Sequence, residues 1–145
     1  MSAYSSLYIQ PAQSALGGML HYAVYDLKWE IDAFFRAFIN SEIADSFGTG
    51  DPKYTVGMSG PEIAMEVVYR ITGSYPDIQP SYYFDRSPEY WTGWAVAYYE
   101  WYKDIPFERI EQDVGIISIL DMYHPYHEAD ITKFVDELDK RMNLQ

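Results

Sequence analysis

A chain of 145 residues, 48% hydrophobic and 22% charged, is long enough to bury a core without metal or disulfide staples, and its composition excludes a disordered or fibrous class. It has no cysteine, which excludes disulfides, thiolate metal sites and cysteine nucleophiles, and nowhere do the ~18 apolar residues of a membrane span stand together. Ten Lys and Arg against 22 Asp and Glu give a formal charge of −12, which argues against direct contact with nucleic acid through its phosphates and suits a basic protein partner.

Residues 1–15 show no helical periodicity until about Pro11 and read as an N-terminal arm, leaving 16–145 as one helical domain. They carry neither the basic region nor the apolar run of a signal peptide, so the expectation is a soluble cytoplasmic protein. From Gly18 the spacing predicts one long helix. Leu20, Ala23, Val24, Leu27, Ile31, Phe34, Phe35 and Phe38 fall at i, i+3, i+4, i+7 and form a stripe of core residues. Tyr22, Tyr25 and Trp29 make an aromatic ridge beside it. Such a ridge is either covered by another helix of the chain or forms a protein-binding surface, where Trp and Tyr are enriched.

Asn40 and Ser41 predict a break and a short helix, Ser41 to Phe47, stopped by Gly48 and Gly50. After the loop DPKYTVGMSG, Ser59-Gly60-Pro61-Glu62 has the form of a capping box, opening a helix with Ile63, Ala64, Val67, Val68 and Ile71 on its buried face and Gly73 at its end. Residues 74–86, SYPDIQPSYYFDR, contain two prolines and read as an ordered extended loop anchored by Tyr82, Tyr83 and Phe84. Ser87 and Pro88 then start a helix over about 88–103. This segment holds three of the four tryptophans and four of the fifteen tyrosines, and it is apolar nearly all round. Trp91, Trp94, Ala95, Tyr98, Trp101 and Tyr102 share one face. A helix of this kind is expected to be buried among other helices.

A turn of helix near Pro106 to Glu111 and an apolar piece, Ile116 to Tyr123, precede a final helix, Ile131 to Met142, capped by Asp130. No stretch alternates like a strand. The expected fold is therefore all-α, a single-domain helical bundle of five to seven helices around a central aromatic helix at about 88–103.

The densest polar cluster is Asp121-Met-Tyr-His-Pro-Tyr-His-Glu-Ala-Asp130. His124, His127 and Glu128, with His21 if the fold brings it near, are ligand types for a divalent metal and would support a metal-dependent enzyme or ligand-binding bundle. Pro125 opposes this by disfavouring a helical His124, and the competing role for these residues is to cap the last helix. Glu30 and Glu66 lie beside apolar stripes as candidate buried carboxylates, with pairing to an arginine such as Arg36 or Arg70 as the alternative. There is no phosphate-binding loop, HExxH or GxSxG.

SPEYWTGWAVAYYEWY (87–102) and DMYHPYHEADITKFVDELDKR (121–141) resemble a group of small acidic bacterial proteins of toxin–antitoxin-type gene neighbourhoods, and the likeness extends more loosely over residues 20–142. The resemblance implies a small protein that binds and silences, or assists, a neighbouring gene product, and it brings no catalytic residues with it. The leading expectation is a non-catalytic protein-binding module of antitoxin or immunity type with no cofactor. Its partner-contacting residues are Tyr22, Tyr25, Trp29, Asp77, Tyr82, Tyr83 and Asp85. The alternatives are the metal-using bundle and an acidic mimic of nucleic acid.

Overall fold

The computed structural model describes residues 1–81 and 86–144, and no strand occurs among them. After a 3₁₀ turn at Ser6–Tyr8 the chain forms α1 (Ile9–Tyr25), α2 (Ile31–Asn40), α3 (Ile43–Gly48), α4 (Pro52–Thr55), α5 (Gly60–Thr72), α6 (Pro88–Lys103), α7 (Phe107–Asp113), α8 (Ile116–Leu120), α9 (Tyr123–Tyr126) and α10 (Ile131–Arg141). Pieces as short as α4 and α9 are single turns, which a search at helical spacing does not register. Among the described residues no helix is long and apolar enough to cross a membrane.

Local sequence explains most of the boundaries. At α5 both halves of the capping box form: the Glu62 N–H donates to Ser59 Oγ (3.3 Å) and the Ser59 N–H donates to Glu62 Oε1 (2.9 Å). The Ser59 N–H on the carboxylate, with the Ser59 side chain beside it, holds the Glu62 carboxyl below its ordinary range. Gly73 ends that helix at φ 82°. The α6 start is also as expected, with the Tyr90 N–H on Ser87 Oγ at 3.0 Å and Pro88 in the first turn. At α10 the Thr132 N–H donates to Asp130 Oδ1 (2.9 Å).

Two expectations are corrected. The helix expected from Gly18 begins at Ile9, so residues 9–15, read from the sequence as arm, are its first two turns, with Ala12, Gln13 and Ala15 buried. Pro11 is tolerated because its missing N–H lies in the first turn, where no intrahelical partner exists. The same helix then stops at Tyr25 instead of running to Phe38. Lys28 takes a left-handed conformation (φ 64°), the Leu27 and Trp29 N–H groups donate to the Tyr22 and Ala23 carbonyls, and Trp29 turns edge-on to Phe34, centroids 5.4 Å apart. The apolar spacing keeps its phase across this break, so periodicity alone reads one helix where there are two.

Helix α1 packs along α6 and, on an adjacent face, against α5. Glycines set the distance. A Cβ on Gly93 of α6 would run into the Leu16 carbonyl of α1, and a Cβ on Gly60 of α5 into the backbone at Gly18 and Met19. With no side chain between them, the backbones meet and α1 is buried nearly all round. On α6 the residue that meets the α1 backbone is Gly93; Thr92, Val96, Ala97 and Glu100 are buried as well, whereas Trp94, Tyr98 and Trp101 are half-buried and Tyr102 is 49% exposed. Of the large aromatics of this helix, Tyr90 packs on α1, its ring lying over Gly17, whereas Tyr102 stands at the surface. The same core extends between α2, α3 and α7 through Phe35, Phe38, Phe47 and Phe107, whose rings meet at 5.6–6.2 Å.

Candidate functional site

The two segments singled out in the sequence, at 87–102 and 121–141, come together in the fold. Trp91 of α6 meets Tyr123 of α9 edge-to-face (5.9 Å) and Phe134 of α10 likewise (5.4 Å). Below them, Tyr99 donates its hydroxyl to Asp139 Oδ1 at 2.7 Å, and Lys103 Nζ lies 3.2 Å from Asp139 Oδ2, fastening α10 to α6. Burial and the carboxylate acceptor both push the Tyr99 phenol upward, so it stays a donor at physiological pH.

Above this joint the surface opens into a cleft of about 260 Å³ lined by Arg86, Tyr90, Trp91, Trp94, Tyr123 and His127. Its aromatic walls are fixed from behind. The His127 ring stacks on Tyr123 at 4.0 Å with its Nδ1 2.7 Å from the Tyr123 carbonyl, and the Arg86 guanidinium sits 4.7 Å above the Tyr90 ring. The volume falls below the ~300–1,000 Å³ usual for drug-sized ligands, and among the described residues no carboxylate lines the walls. A cleft of this kind accepts one flat or apolar side chain.

The residues expected to contact a partner are placed differently. Tyr22 is 1% exposed and donates its hydroxyl to the Ile78 carbonyl at 2.5 Å. Tyr25 stacks on His21 at 4.6 Å and donates to Glu89 Oε1 at 2.8 Å. Trp29 is half-buried on Phe34. The ridge of the first helix is therefore engaged within the chain, by the segment through Ile78 and by the start of α6. The Ser81 N–H adds to this by donating to Asp26. Asp77 is exposed on that segment, and Tyr82, Tyr83 and Asp85 lie outside the described residues.

The metal set does not assemble. Among the described residues no three His, Asp or Glu side chains stand close enough to hold an ion. His124 is in fact helical, because Pro125 falls within the first turn of α9, but its side chain is exposed while His127 lies against Tyr123. His127 Nε2 is 3.3 Å from Glu128 Oε1, a pair with Glu128 87% exposed. His21 is elsewhere, its Nδ1 2.6 Å from Ser87 Oγ; burial pulls its pKa down against the opposing pull of Asp26 and Glu89. The imidazole is thus biased toward its neutral form, hydrogen-bonded to the Ser87 hydroxyl that also caps α6.

The buried carboxyl is neither Glu30 nor Glu66. Glu30 is exposed and Glu66 accepts from Tyr75 at 3.0 Å, while Arg36 approaches Asp32 and Arg70 donates to the Ser41 carbonyl. It is Glu100, 3% exposed, with burial and then the Asp104 charge pushing its pKa up to about 9. A signal existed in the sequence: Gly93, Val96, Ala97 and Glu100 share a face at i, i+3, i+4 and i+7, so of the two acids of the aromatic helix Glu89 lies in the first turn and Glu100 falls on the small-residue side. The chain matches no protein-family model, no curated protein and no solved structure.

Proposed function

We propose that this protein is a non-catalytic binding module of antitoxin or immunity type, acting in the bacterial cytoplasm on a basic partner protein and contacting neither nucleic acid nor membrane. In this reading the helices form a bundle built around the aromatic helix α6, which carries the binding site at its N-terminal end. The observation that carries it is the aromatic cleft between α6 and α9. Four aromatic walls, Tyr90, Trp91, Trp94 and Tyr123, surround a space the size of one side chain, in a chain whose net charge is −12.

Such a cleft supplies what a binding hot spot needs, rigid apolar walls that a partner's side chain desolvates on entry, with charged surface around it to steer the approach. The occupant is an aromatic or long apolar side chain projecting from a basic surface: among the described residues the walls are aromatic and carry no carboxylate, while the net negative charge of the chain attracts a basic surface around the opening. Trp29, Asp77 and the segment containing Tyr82, Tyr83 and Asp85 extend this reading as peripheral contacts.

Affinity capture from the cell of origin tests it, comparing the wild-type chain with Trp94→Ala and Tyr123→Ala at low and high salt. One protein retained in stoichiometric amount by the wild type, released by salt and lost from both variants supports the reading. A chain recovered alone as a bare monomer, or a protein retained equally by all three, contradicts it.

A further inference from the structure

A second cleft, of about 280 Å³, opens at the other end of α6 between α3 and α7, away from the aromatic cleft. It is lined by Asp45 and Gly48 of α3, Glu100 of α6, and Asp104, Pro106 and Phe107 beyond it. Glu100 forms part of its wall. Its Oε1 is buried with no hydrogen-bond partner among the described residues, and its Oε2 lies so close over Gly48 that a Cβ there would come within 2.9 Å. The nearby Tyr4 hydroxyl is also buried with no hydrogen-bond partner among the described residues, and burial pushes its phenol upward. Buried polar atoms are nearly always satisfied, so an orphaned carboxyl oxygen on a residue that lines a cleft requires an explanation. A purely structural position would be served better by glutamine or an apolar side chain, neither of which burial penalises to the same degree.

The lining decides the kind of ligand. Three carboxyl groups, Asp45, Glu100 and Asp104, border the cleft, and no basic residue does. A metal ion does not fit, because no group of three ligating side chains converges among the described residues. An ammonium group does, since it needs two or three acceptors at hydrogen-bond distance instead of a closed coordination shell. Phe107 and Pro106 offer apolar surface to a carbon chain attached to it.

We propose that this cleft binds a primary ammonium on a short aliphatic stem, with Glu100 as its principal acceptor. The ammonium comes either from a free alkylamine or from a lysine side chain. Glu100 is protonated at neutral pH in the empty cleft, whereas the incoming amine is already charged in solution. Formation of the ion pair therefore expels the Glu100 proton to solvent, one per ligand bound. Asp45 and Asp104 border the same cleft, and burial holds the nearby Tyr4 phenol in its protonated form, so the release is assigned to Glu100, the carboxyl that burial and the Asp104 charge push up to about 9. Affinity rises about tenfold per pH unit from pH 7 to pH 9 and levels off above that.

Calorimetric titration with n-butylamine, and separately with Nα-acetyl-lysine methylamide, tests this in buffers of different ionisation enthalpy. The expected result is saturable binding with release of close to one proton at pH 7, weakened at least tenfold in Glu100→Gln. A response to butylamine alone assigns a free amine; a response to both assigns a lysine head group. No saturable binding of either, binding without proton release by the wild-type chain, or equal binding by Glu100→Gln overturns the proposal. The proton count needs only the wild-type chain, so a poorly folding variant leaves the test intact. No partner protein is involved, so failure here is distinguishable from failure of the aromatic cleft.

Discussion

Glu100 keeps its proton at neutral pH because burial removes the water that would solvate a carboxylate and Asp104 adds a like charge. Its pKa rises from 4.5 to about 9, so the folded chain holds a proton that the unfolded chain has given up. The contribution from this group is fully present below pH 4.5 and is lost progressively as the pH rises through 9. At pH 7 the difference is about 2.5 units, or roughly 3 kcal/mol at ~1.4 kcal/mol per unit. Glu100→Gln, which cannot ionise, is therefore expected to be more stable than wild type by about 2–3 kcal/mol at pH 7 and to show a flatter stability profile between pH 5 and pH 9. Urea unfolding at pH 5, 7 and 9 measures both, and a variant less stable than wild type at pH 7 would overturn this account of the carboxyl. Legibility at this scale was uneven. The caps Ser59, Ser87 and Asp130 could be read because a cap depends on neighbours three residues away, whereas burial of Glu100 depends on α3, which the sequence does not place beside α6.

Between elements, the same contrast separates what was readable from what was not. Helix starts followed from local chemistry, but the break at Lys28 did not, because YDLKWE contains neither glycine nor proline and the stripe continues in phase through it. A non-glycine residue held left-handed costs ~1–2 kcal/mol. Lys28→Gly should therefore raise stability by up to about 1 kcal/mol, whereas in an uninterrupted helix glycine would lower it by a similar amount. The sign of the change in a urea titration separates two helices from one. The packing of α1 on α6 and α5 gives a second prediction. Gly93→Ala drives a methyl group into the Leu16 carbonyl and is expected to cost about 3 kcal/mol or more, as backbones cannot yield as a flexible side chain can. Gly18→Ala adds a methyl at 3.4 Å from Gly60 Cα and should change stability by less than about 1 kcal/mol, the gain in helix propensity offsetting the tighter contact. Similar thermal shifts for the two variants would contradict the close approach at Gly93.

At the scale of the molecule, the aromatic residues divide into those that hold the chain together and those that line an opening. Composition could not make this division, since Tyr22 and Trp94 look equally fit for either task in the sequence. Tertiary structure assigns Tyr22 to the interior, through its bond to the Ile78 carbonyl, and leaves Trp94 half-buried at the rim of a cleft formed with Tyr123. The cleft unites segments more than twenty residues apart, which no local pattern reveals. The chain's net charge of −12 means that association with a basic partner should weaken as salt screens the exposed charges beyond ~10 Å. The central claim is that a partner's side chain enters this cleft, and the affinity of the captured partner for Trp94→Ala tests it most directly, with Lys133→Ala on the exposed face of α10 as the control. Loss of a hot-spot wall costs at least ~2 kcal/mol, so the dissociation constant should rise about thirtyfold or more for Trp94→Ala and less than threefold for the control. Equal affinities for wild type and Trp94→Ala would contradict it.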